Sequence, residues 1–446
     1  MAGVFTKNTI FTFLTRGFSF VFSFLAAVII ARALGPEGKG FYSLAILLAT
    51  LLMTFFDFGI SPAVAFYTGK QKYPLNQIFG NNLILSFFIG LIAILAGVVI
   101  AFPFHKVFFA GVEQEHLILA VLSLPFSLFF YFVSSIFLGK QLIKDYNLAS
   151  IFSGVFLLIS TAVLLVILKA GVSGAILGFT FSFVFADVWL FYTVKKRCRG
   201  ISFKINKDYF KDISSYGIKF HLSNIFAFFH SQTNLLLLNV FFNPAAVGFF
   251  SIANELTTKL QLLPQSAATV LFPKIVAEGD ENYKKEFTSL VCRNTIFITS
   301  ALVIFLFFFS RLMITAFFSE KFLDSVAPFQ ILLPSAIALS GSQILTTDFL
   351  GRGLPMLNTY SNAVAFFLNI VLSIFLIPRF ALAGAAWAMT ISYLILFLVK
   401  ALIYKKISGN RIKDLFFPKK TDFQLYPLLF KSFVSFLKTQ GSKTIT

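Results

Sequence analysis

Residues Ile78–Phe102, with the sequence IFGNNLILSFFIGLIAILAGVVIAF, decide the fold class. This stretch holds no charged residue and is longer than the roughly 20 apolar residues that an α-helix needs to cross a membrane. The rest of the chain is similar in character: of 446 residues, 58% are hydrophobic, 12% are charged and 64 are Phe. Soluble domains carry about 25% charged residues, so a water-soluble fold and a disordered chain are both excluded. We therefore predict an all-α polytopic membrane protein.

Twelve stretches of this kind predict twelve transmembrane helices, divided six and six by a polar run from Lys195 to Asp212. The first six are Ile10–Ala31, Gly40–Tyr67, Ile78–Phe102, Glu115–Gly139, Leu148–Leu168 and Val172–Val194. The last six are Ser214–Phe241, Val247–Val270, Thr288–Ser310, Asp324–Leu350, Leu357–Pro378 and Leu382–Tyr404. We predict N-terminal and C-terminal six-helix bundles at residues 1–194 and 214–404. Residues 195–213 then form a cytoplasmic linker and residues 405–446 a cytoplasmic tail, in which Phe423–Leu437 is an interfacial helix.

The basic residues predict the orientation. The chain has 37 Lys and Arg residues against 18 acidic ones, a formal net charge of +19. If the N-terminus is inside, most of the basic residues fall in cytoplasmic loops and tails, which is the usual bias of membrane proteins. We predict that both termini are cytoplasmic and that the membrane is the cytoplasmic membrane of a bacterium or archaeon. Anionic lipid headgroups account for the positive charge, so we expect no nucleic-acid partner.

Three short motifs of the first half recur in the second half, in the same order and at nearly one offset. They are Gly40–Ala45 and Gly248–Ala253, Phe137–Lys140 and Phe349–Arg352, and Gly174–Ala175 and Gly384–Ala385. Six helices in each repeat leave both halves in the same orientation, so the repeats are parallel and related by an axis along the membrane normal. Two such bundles suit transport by alternating access. The alternative is a duplicated but static membrane anchor.

Polar residues within the predicted helices are costly in lipid and mark candidate functional positions. The eighth helix has the most, and at 100° per residue they share one face: Asn254, Thr257, Thr258, Gln261 and Gln265, with Glu255 and Lys259 on its flank. Glu255 and Lys259 are four residues apart and can pair. Such a face should line water or the opposite bundle, and the alternative is an amphipathic helix on the membrane surface.

Two further charged residues lie inside predicted helices. Arg16 belongs to a stripe of Ser and Thr in the first helix, where it either faces a cavity or extends to the headgroups. In the repeat it aligns with Asn224 of the seventh helix. Asp57, in the second helix, is either a proton or sodium site or a counter-ion to Arg16 or Lys259. The predicted substrate-binding residues are therefore Arg16, Asn224, Asn254, Glu255, Thr258, Lys259, Gln261 and Gln265, with Asp57 as the candidate for ion coupling.

The sequence contains no catalytic signature. It has no Gly-x-x-x-x-Gly-Lys-Ser/Thr phosphate loop, no Gly-x-Ser-x-Gly and no His-Glu-x-x-His motif. Two Cys and four His residues offer no metal-ligand set. We predict that the chain is not an enzyme and needs no cofactor or metal.

Two segments resemble a known family. Ala31–Pro36 (ARALGP) followed by Gly40-Phe41-Tyr42 is similar to the first-loop signature of polysaccharide-repeat flippases of the O-antigen type. Residues Ala246–Phe250 and Leu271–Pro273 are similar to the second-half signature. The superfamily also contains multidrug and toxin extruders and lipid II flippases. The resemblance covers roughly residues 1–408, although family members often carry an aspartate near Asn234.

The resemblance implies the fold of the multidrug/oligosaccharidyl-lipid/polysaccharide (MOP) exporters, which is MATE-like, and a specific function. The expected substrate is an oligosaccharide linked to polyprenyl pyrophosphate, moved from the inner to the outer leaflet. Arg16 and Lys259 would neutralise the pyrophosphate, and the Asn, Gln, Ser and Thr side chains would accept the sugar hydroxyls. We expect a monomer that works with polysaccharide-assembly proteins. The alternatives are an ion-coupled drug or toxin antiporter of the MATE type, a membrane-bound glycan polymerase or ligase, and a scaffold that transports nothing.

Overall fold

The structure, a computed structural model, describes residues 2–198, 200–419 and 422. For residues 2–14, 16, 219, 220 and 270 it describes the helical backbone and not the side chain. The predicted interfacial helix Phe423–Leu437 lies outside the described residues. Within the described ranges every regular element is helical, as the composition predicts.

The described residues of the first half form seven α-helices. They are α1 (Ala2–Phe56), α2 (Ile60–Gly69), α3 (Leu75–Phe108), α4 (Gln114–Val121), α5 (Leu124–Gly139), α6 (Ile143–Ala162) and α7 (Gly171–Arg197). A π-helical turn, Val163–Ile167, extends α6. Together α4 and α5 cover the fourth predicted helix, and α6 with its π-turn covers the fifth.

The second half, as far as the structure describes it, also contains seven α-helices. They are α8 (Lys207–Phe241), α9 (Pro244–Lys259), α10 (Leu262–Ala277), α11 (Glu281–Phe318), α12 (Val326–Gly351), α13 (Pro355–Ser408) and α14 (Lys413–Phe416). A 3₁₀ turn, Glu320–Ser325, precedes α12. The short α14 packs against α11.

Eight of the described helical segments are long and apolar enough to cross a membrane. Two of them, in α1 and α13, each cover two of the predicted helices. The backbone leaves the helical region at Gly35 in α1 and at Ala381 in α13, which divides each of these helices into two parts. The seventh and eighth predicted helices correspond to α8 and to α9 with α10, which are not among the eight. The fold class is confirmed, and the count of twelve crossings stays a prediction.

Large apolar side chains cover the outer surface of the bundle. Val99, Ile167 and Phe308 are each more than two-thirds exposed, at 68%, 71% and 76%. An apolar exterior of this kind is stable only in contact with lipid. The polar side chains, in contrast, concentrate between helices.

The two halves contact one another mainly through α1 and α9, and also through α2 and α8. The contact between α1 and α9 lies around Pro36, where the second part of α1 begins, and Pro244, the first residue of α9. Here Arg32 of α1 also donates from Nε to the carbonyl oxygen of Phe317 at the end of α11, at 2.6 Å. The second contact brings Gly59 against Gly217 so closely that a side chain on either would collide with the other backbone.

Candidate functional site: a polar cavity between the two halves

A cavity of about 520 Å³ lies between the halves, which we call the central cavity. The first half lines it with α1 and α6, and the second half with α9 and α10. The lining residues are Thr15, Ser19, Phe20, Ser23, Tyr146, Asn147, Ser150, Glu255, Thr258, Lys259, Leu262 and Gln265. Most of these side chains carry a hydroxyl, amide or charged group, so the cavity can hold a hydrophilic ligand inside the membrane protein.

The ammonium group of Lys259 reaches across this cavity from α9 to α1. Its Nζ donates to Ser23 Oγ at 2.7 Å and lies 5.5 Å from the ring centroid of Phe20. An ammonium has three donors, and the bond to Ser23 uses one of them. The geometry therefore leaves Lys259 able to bind an anion that enters the cavity.

Glu255 also lines the central cavity, but its ion pair is with the opposite half. Lys39 of α1 lies 3.4 Å from Glu255, Nζ to Oε2, and the whole Lys39 residue is only 3% exposed. Their spacing in the sequence allowed Glu255 and Lys259 to pair, whereas in the structure Glu255 pairs with Lys39 and the Lys259 ammonium donates to Ser23. Lys259 itself forms no ion pair within 4 Å among the described residues, although Glu255 lines the same cavity.

The predicted continuous polar face of the eighth helix is wrong, because the helix breaks at Leu260 and Gln261. The amides of these two residues bond to carbonyls three residues back instead of four. Thr258 and Gln265 still reach the central cavity. Gln261 instead points to α12, where its Nε2 donates to the carbonyl of Ala336 at 3.4 Å, and Asn254 is buried outside the cavity lining.

Asp57 lies at a second helix break, between α1 and α2, and not in the central cavity. One carboxylate oxygen accepts from the amide of Gly59 at 3.0 Å, and the other from Ser61 Oγ at 2.6 Å. These bonds satisfy donors at the start of α2. A counter-ion role toward Lys259 is therefore wrong, whereas the predicted ion-coupling role stays a prediction.

The structure separates Asn224 from the central cavity. Asn224 lies on α8 and lines another cavity, inside the second half. The side chain of Arg16 lies outside the described residues. Its backbone position, three and four residues before Ser19 and Phe20, falls on the same side of α1 as these two lining residues.

Sequence reasoning missed the contribution of α6. Tyr146, Asn147 and Ser150 line the central cavity, and Ser150 also accepts a bond from Ser19 through its carbonyl at 3.3 Å. A smaller cavity of about 230 Å³ continues from there toward Ser153 and Gly154. The spacing of polar and small residues at 147, 150 and 154 along one helix face was the available signal.

Comparison with known proteins supports a family assignment. Residues 5–278, more than half of the chain, match the family described as "Polysaccharide biosynthesis protein". The chain belongs to this family. Both signature segments identified in the sequence lie within residues 5–278, so the match confirms the resemblance.

Three matches illustrate the similarity to family members and to structures of the same fold. The capsular polysaccharide biosynthesis protein CapF of Staphylococcus aureus is 22% identical, over 90% of this chain and 99% of CapF. An inward-facing multidrug resistance MATE family transporter of the MOP superfamily superposes with a TM-score of 0.75, at 17% identity, over 88% of this chain and 94% of that one. The lipid II flippase MurJ, in an inward closed conformation, gives 0.72 at 17% identity, over 91% and 89%. The MOP exporter fold is thus confirmed.

Proposed function

We propose that this polysaccharide biosynthesis family member flips an oligosaccharide linked to polyprenyl pyrophosphate across the cytoplasmic membrane. The central cavity carries the proposal. It is enclosed by both halves, lined by hydroxyl and amide groups, and holds the ammonium of Lys259, which forms no ion pair within 4 Å with a described carboxylate. A sugar headgroup needs hydrogen-bond partners in the membrane, and a pyrophosphate needs a cation.

In this proposal each part of the substrate has its own place. The pyrophosphate lies at Lys259 with Arg16, and the sugars extend toward Thr258, Gln265 and the polar side chains of α6. The prenyl tail stays in lipid and reaches the cavity through a gap between the two bundles. Removing the headgroup from water then costs less, because the cavity replaces the hydrogen bonds that water made.

The direction of transport follows from the orientation predicted from the basic residues. With both termini inside, the cavity lies toward the cytoplasmic side of α1, since Thr15–Ser23 precede Pro36 by on the order of 20 Å of helix or more. The halves are closed around Pro36 and Pro244, on the outer side. The described conformation would therefore accept substrate from the inner leaflet, and rocking of residues 1–194 against residues 214–404 would release it outside.

We also propose that the flippase acts as a monomer within a polysaccharide-assembly pathway, where glycosyltransferases supply its substrate. The proposed location is the cytoplasmic membrane of a bacterium or archaeon. The similarity to CapF, a capsular polysaccharide biosynthesis protein, supports this setting.

A leaflet assay in proteoliposomes tests the function. Purified protein is reconstituted with a lipid-linked oligosaccharide, and the fraction exposed outside is measured over time with a membrane-impermeant sugar oxidant. Wild-type protein should accelerate exchange between leaflets, and Lys259→Met and Arg16→Ala should slow it. Lys274→Met, which removes an exposed lysine outside the cavity, is the matched control. Full activity in both Lys259→Met and Arg16→Ala would show that these two residues do not bind the pyrophosphate.

The second candidate function is ion-coupled export of cationic drugs, as in MATE transporters. The observation that favours it is Glu255 with the Phe20 ring in the central cavity, which together suit an organic cation. Lys39 already pairs with that carboxylate, so we favour the anionic substrate. Drug-resistance profiling of cells with and without the protein separates the two, because an antiporter should change resistance and a glycolipid flippase should not.

A further inference from the structure

The second half contains a polar cavity of about 350 Å³ that shares no residue with the central cavity. It lies between α8, the end of α12 and both ends of α13, beside the α12–α13 connection. We call it the C-half cavity and define it by Asn224, Thr346, Asn358 and Lys400. All its lining residues belong to the second half, so it is a separate site and its ligand need not be the flipped lipid.

Lys400 gives the C-half cavity its charge. The residue is 3% exposed, and its Nζ donates to Thr346 Oγ1 at 2.7 Å. It forms no ion pair with a carboxylate in the part of the chain that the structure describes. The carboxylate nearest in sequence to Thr346, that of Asp348, is taken by Arg352 at 2.6 Å and Thr288 at 2.7 Å. A buried ammonium of this kind calls for an anion.

The start of α13 adds a second positive feature. Pro355, Asn358 and Thr359, from its first turns, line the cavity. Pro355 has no N–H and the amide of Leu357 bonds to the carbonyl of Leu354 at 3.2 Å, so the contribution here is the partial positive charge at the N-terminus of the helix, which favours a nearby anion.

One acceptor in the C-half cavity also lacks a partner. Asn358 is 4% exposed, and its Nδ2 donates to the carbonyl of Thr346 at 3.3 Å. Its Oδ1 is buried and receives no hydrogen bond. An amide oxygen needs a donor, which a simple halide cannot supply, whereas a hydroxyl group can.

We propose that the C-half cavity binds a hydroxylated organic anion, a sugar bearing a carboxylate or a phosphate. The acidic group pairs with Lys400 at the start of α13, and a hydroxyl donates to Asn358 Oδ1. The remaining Asn, Gln, Ser and Thr side chains of the lining accept or donate to the other hydroxyls. With the predicted orientation the cavity lies on the cytoplasmic side, so the anion comes from the cytoplasm.

Equilibrium dialysis of the purified full-length protein in nanodiscs tests this site. The probes are radiolabelled D-glucuronate, D-glucose 6-phosphate and uncharged D-glucose. We expect saturable binding of at least one of the two anions and none of glucose. Lys400→Met should weaken that binding by at least about tenfold, since hydrogen bonds to a charged group are each worth roughly 1.5–3 kcal/mol. The anion that binds decides between carboxylate and phosphate.

Two further variants keep the test independent of folding and of the central cavity. Asn358→Asp keeps the side-chain size, places a carboxylate in the cavity and should abolish anion binding; because it also removes the Nδ2 donor to the Thr346 carbonyl, its fold is checked by its unfolding temperature. Lys259→Met alters the central cavity and should leave anion binding unchanged. The proposal is overturned if neither anion binds wild-type protein, if glucose binds as well as the anions, or if Lys259→Met removes binding while Lys400→Met does not.

Discussion

Gly40 of α1 lies directly against the carbonyl oxygen of Pro244, so that a Cβ at residue 40 would stand 1.8 Å from that oxygen. The contact has a counterpart: a Cβ on Gly248 would stand 1.9 Å from the carbonyl oxygen of Pro36. Gly40 and Gly248 are the first residues of the repeated motif, so each half presents the same glycine to the same proline of the other. A twofold axis along the membrane normal produces such a reciprocal pair, which supports the proposed parallel arrangement of two bundles.

Substituting either glycine should separate the halves at this end. Gly40→Ala and Gly248→Ala place a methyl group inside a backbone carbonyl that cannot move aside, and overpacking of this kind costs about 1–3 kcal/mol. We expect a lower unfolding temperature in detergent for both. Gly17→Ala is the matched control, because nothing lies within 4 Å of a Cβ at that helical position. Unchanged stability in both contact variants would mean that the halves are not packed as described.

The ion pair between Lys39 and Glu255 should couple the two halves. Lys39→Met leaves the Glu255 carboxylate without its ion-pair partner. We therefore expect Lys39→Met to lower the free energy of unfolding more than the Lys39→Met/Glu255→Gln double variant does. A double-mutant cycle on the free energy of unfolding should give a coupling of about 1–3 kcal/mol. The pair of Asp414 with Lys419, whose lysine side chain is 56% exposed, is the comparison and should couple by well under about 1 kcal/mol. Additive effects at Lys39 and Glu255 would contradict the pairing.

Asp187 of α7 is an unfavourable buried carboxylate. It is 7% exposed, and neither oxygen has a hydrogen-bond partner among the described residues. It borders an apolar cavity of about 380 Å³ that can hold a larger side chain. We expect Asp187→Leu to raise the free energy of unfolding by about 1–3 kcal/mol. Asp348→Leu is the control and should lower it, because Asp348 accepts bonds from Thr288 and Arg352. A loss of stability in Asp187→Leu would show that the carboxylate has a partner.

The segment after α14 is held to α11 by Asp422. Its two carboxylate oxygens accept from Nε and Nη2 of Arg293, at 2.5 and 2.7 Å, and both residues are buried. Asp422→Asn should therefore destabilise the protein by about 3–5 kcal/mol and make residues 417–419 more susceptible to protease. Limited proteolysis at neutral pH measures the second effect. Asp414→Asn, whose carboxylate pairs with exposed Lys419, should change little.

The same pair predicts a pH dependence. The hydrogen bonds from Arg293 lower the pKa of Asp422 below its usual value of about 4. Because the folded-state pKa is lowered, the stabilisation is complete above pH ~4 and is lost as the pH falls through the lowered pKa. The stability difference between wild-type protein and Asp422→Asn should be constant from pH 7 to 5 and shrink below about 4. A difference that shrinks between pH 7 and 5 would contradict this.

Much of the membrane architecture could be predicted from the sequence because it depends on composition. Long apolar stretches such as Ile78–Phe102 can only be helices in lipid, and α3 covers this one. Lys259, Thr258 and Gln265 could be selected for the central cavity because polar groups in an otherwise apolar helix need a polar neighbour. The recurrence of the Gly40 motif likewise anticipated matching contacts in the two halves.

The errors arose where helices break. Helix α9 ends before Pro264, which has no N–H to bond the carbonyl of Leu260, and the new direction of α10 turns Gln261 away from the cavity. Pro62 stands in the same relation to the break at Phe58. The hydropathy pattern placed Lys39 in a loop. In the structure the second part of α1 begins at Pro36, so Lys39 is helical and buried beside Glu255. Such details depend on tertiary packing, which a hydropathy pattern does not contain.

The proposed transport requires two halves that close alternately at the Pro36 end and at the central cavity. The most direct test uses a protein in which Cys198 and Cys292 are replaced by Ala and cysteines are placed at Glu37 and Ala245, beside Pro36 and Pro244 on opposite halves. Flipping of the lipid-linked oligosaccharide in proteoliposomes is measured before and after cross-linking of this pair, and again after reduction. We predict that the cross-link stops flipping and that reduction restores it. Full flipping with the halves locked together at this end would contradict alternating access through the central cavity.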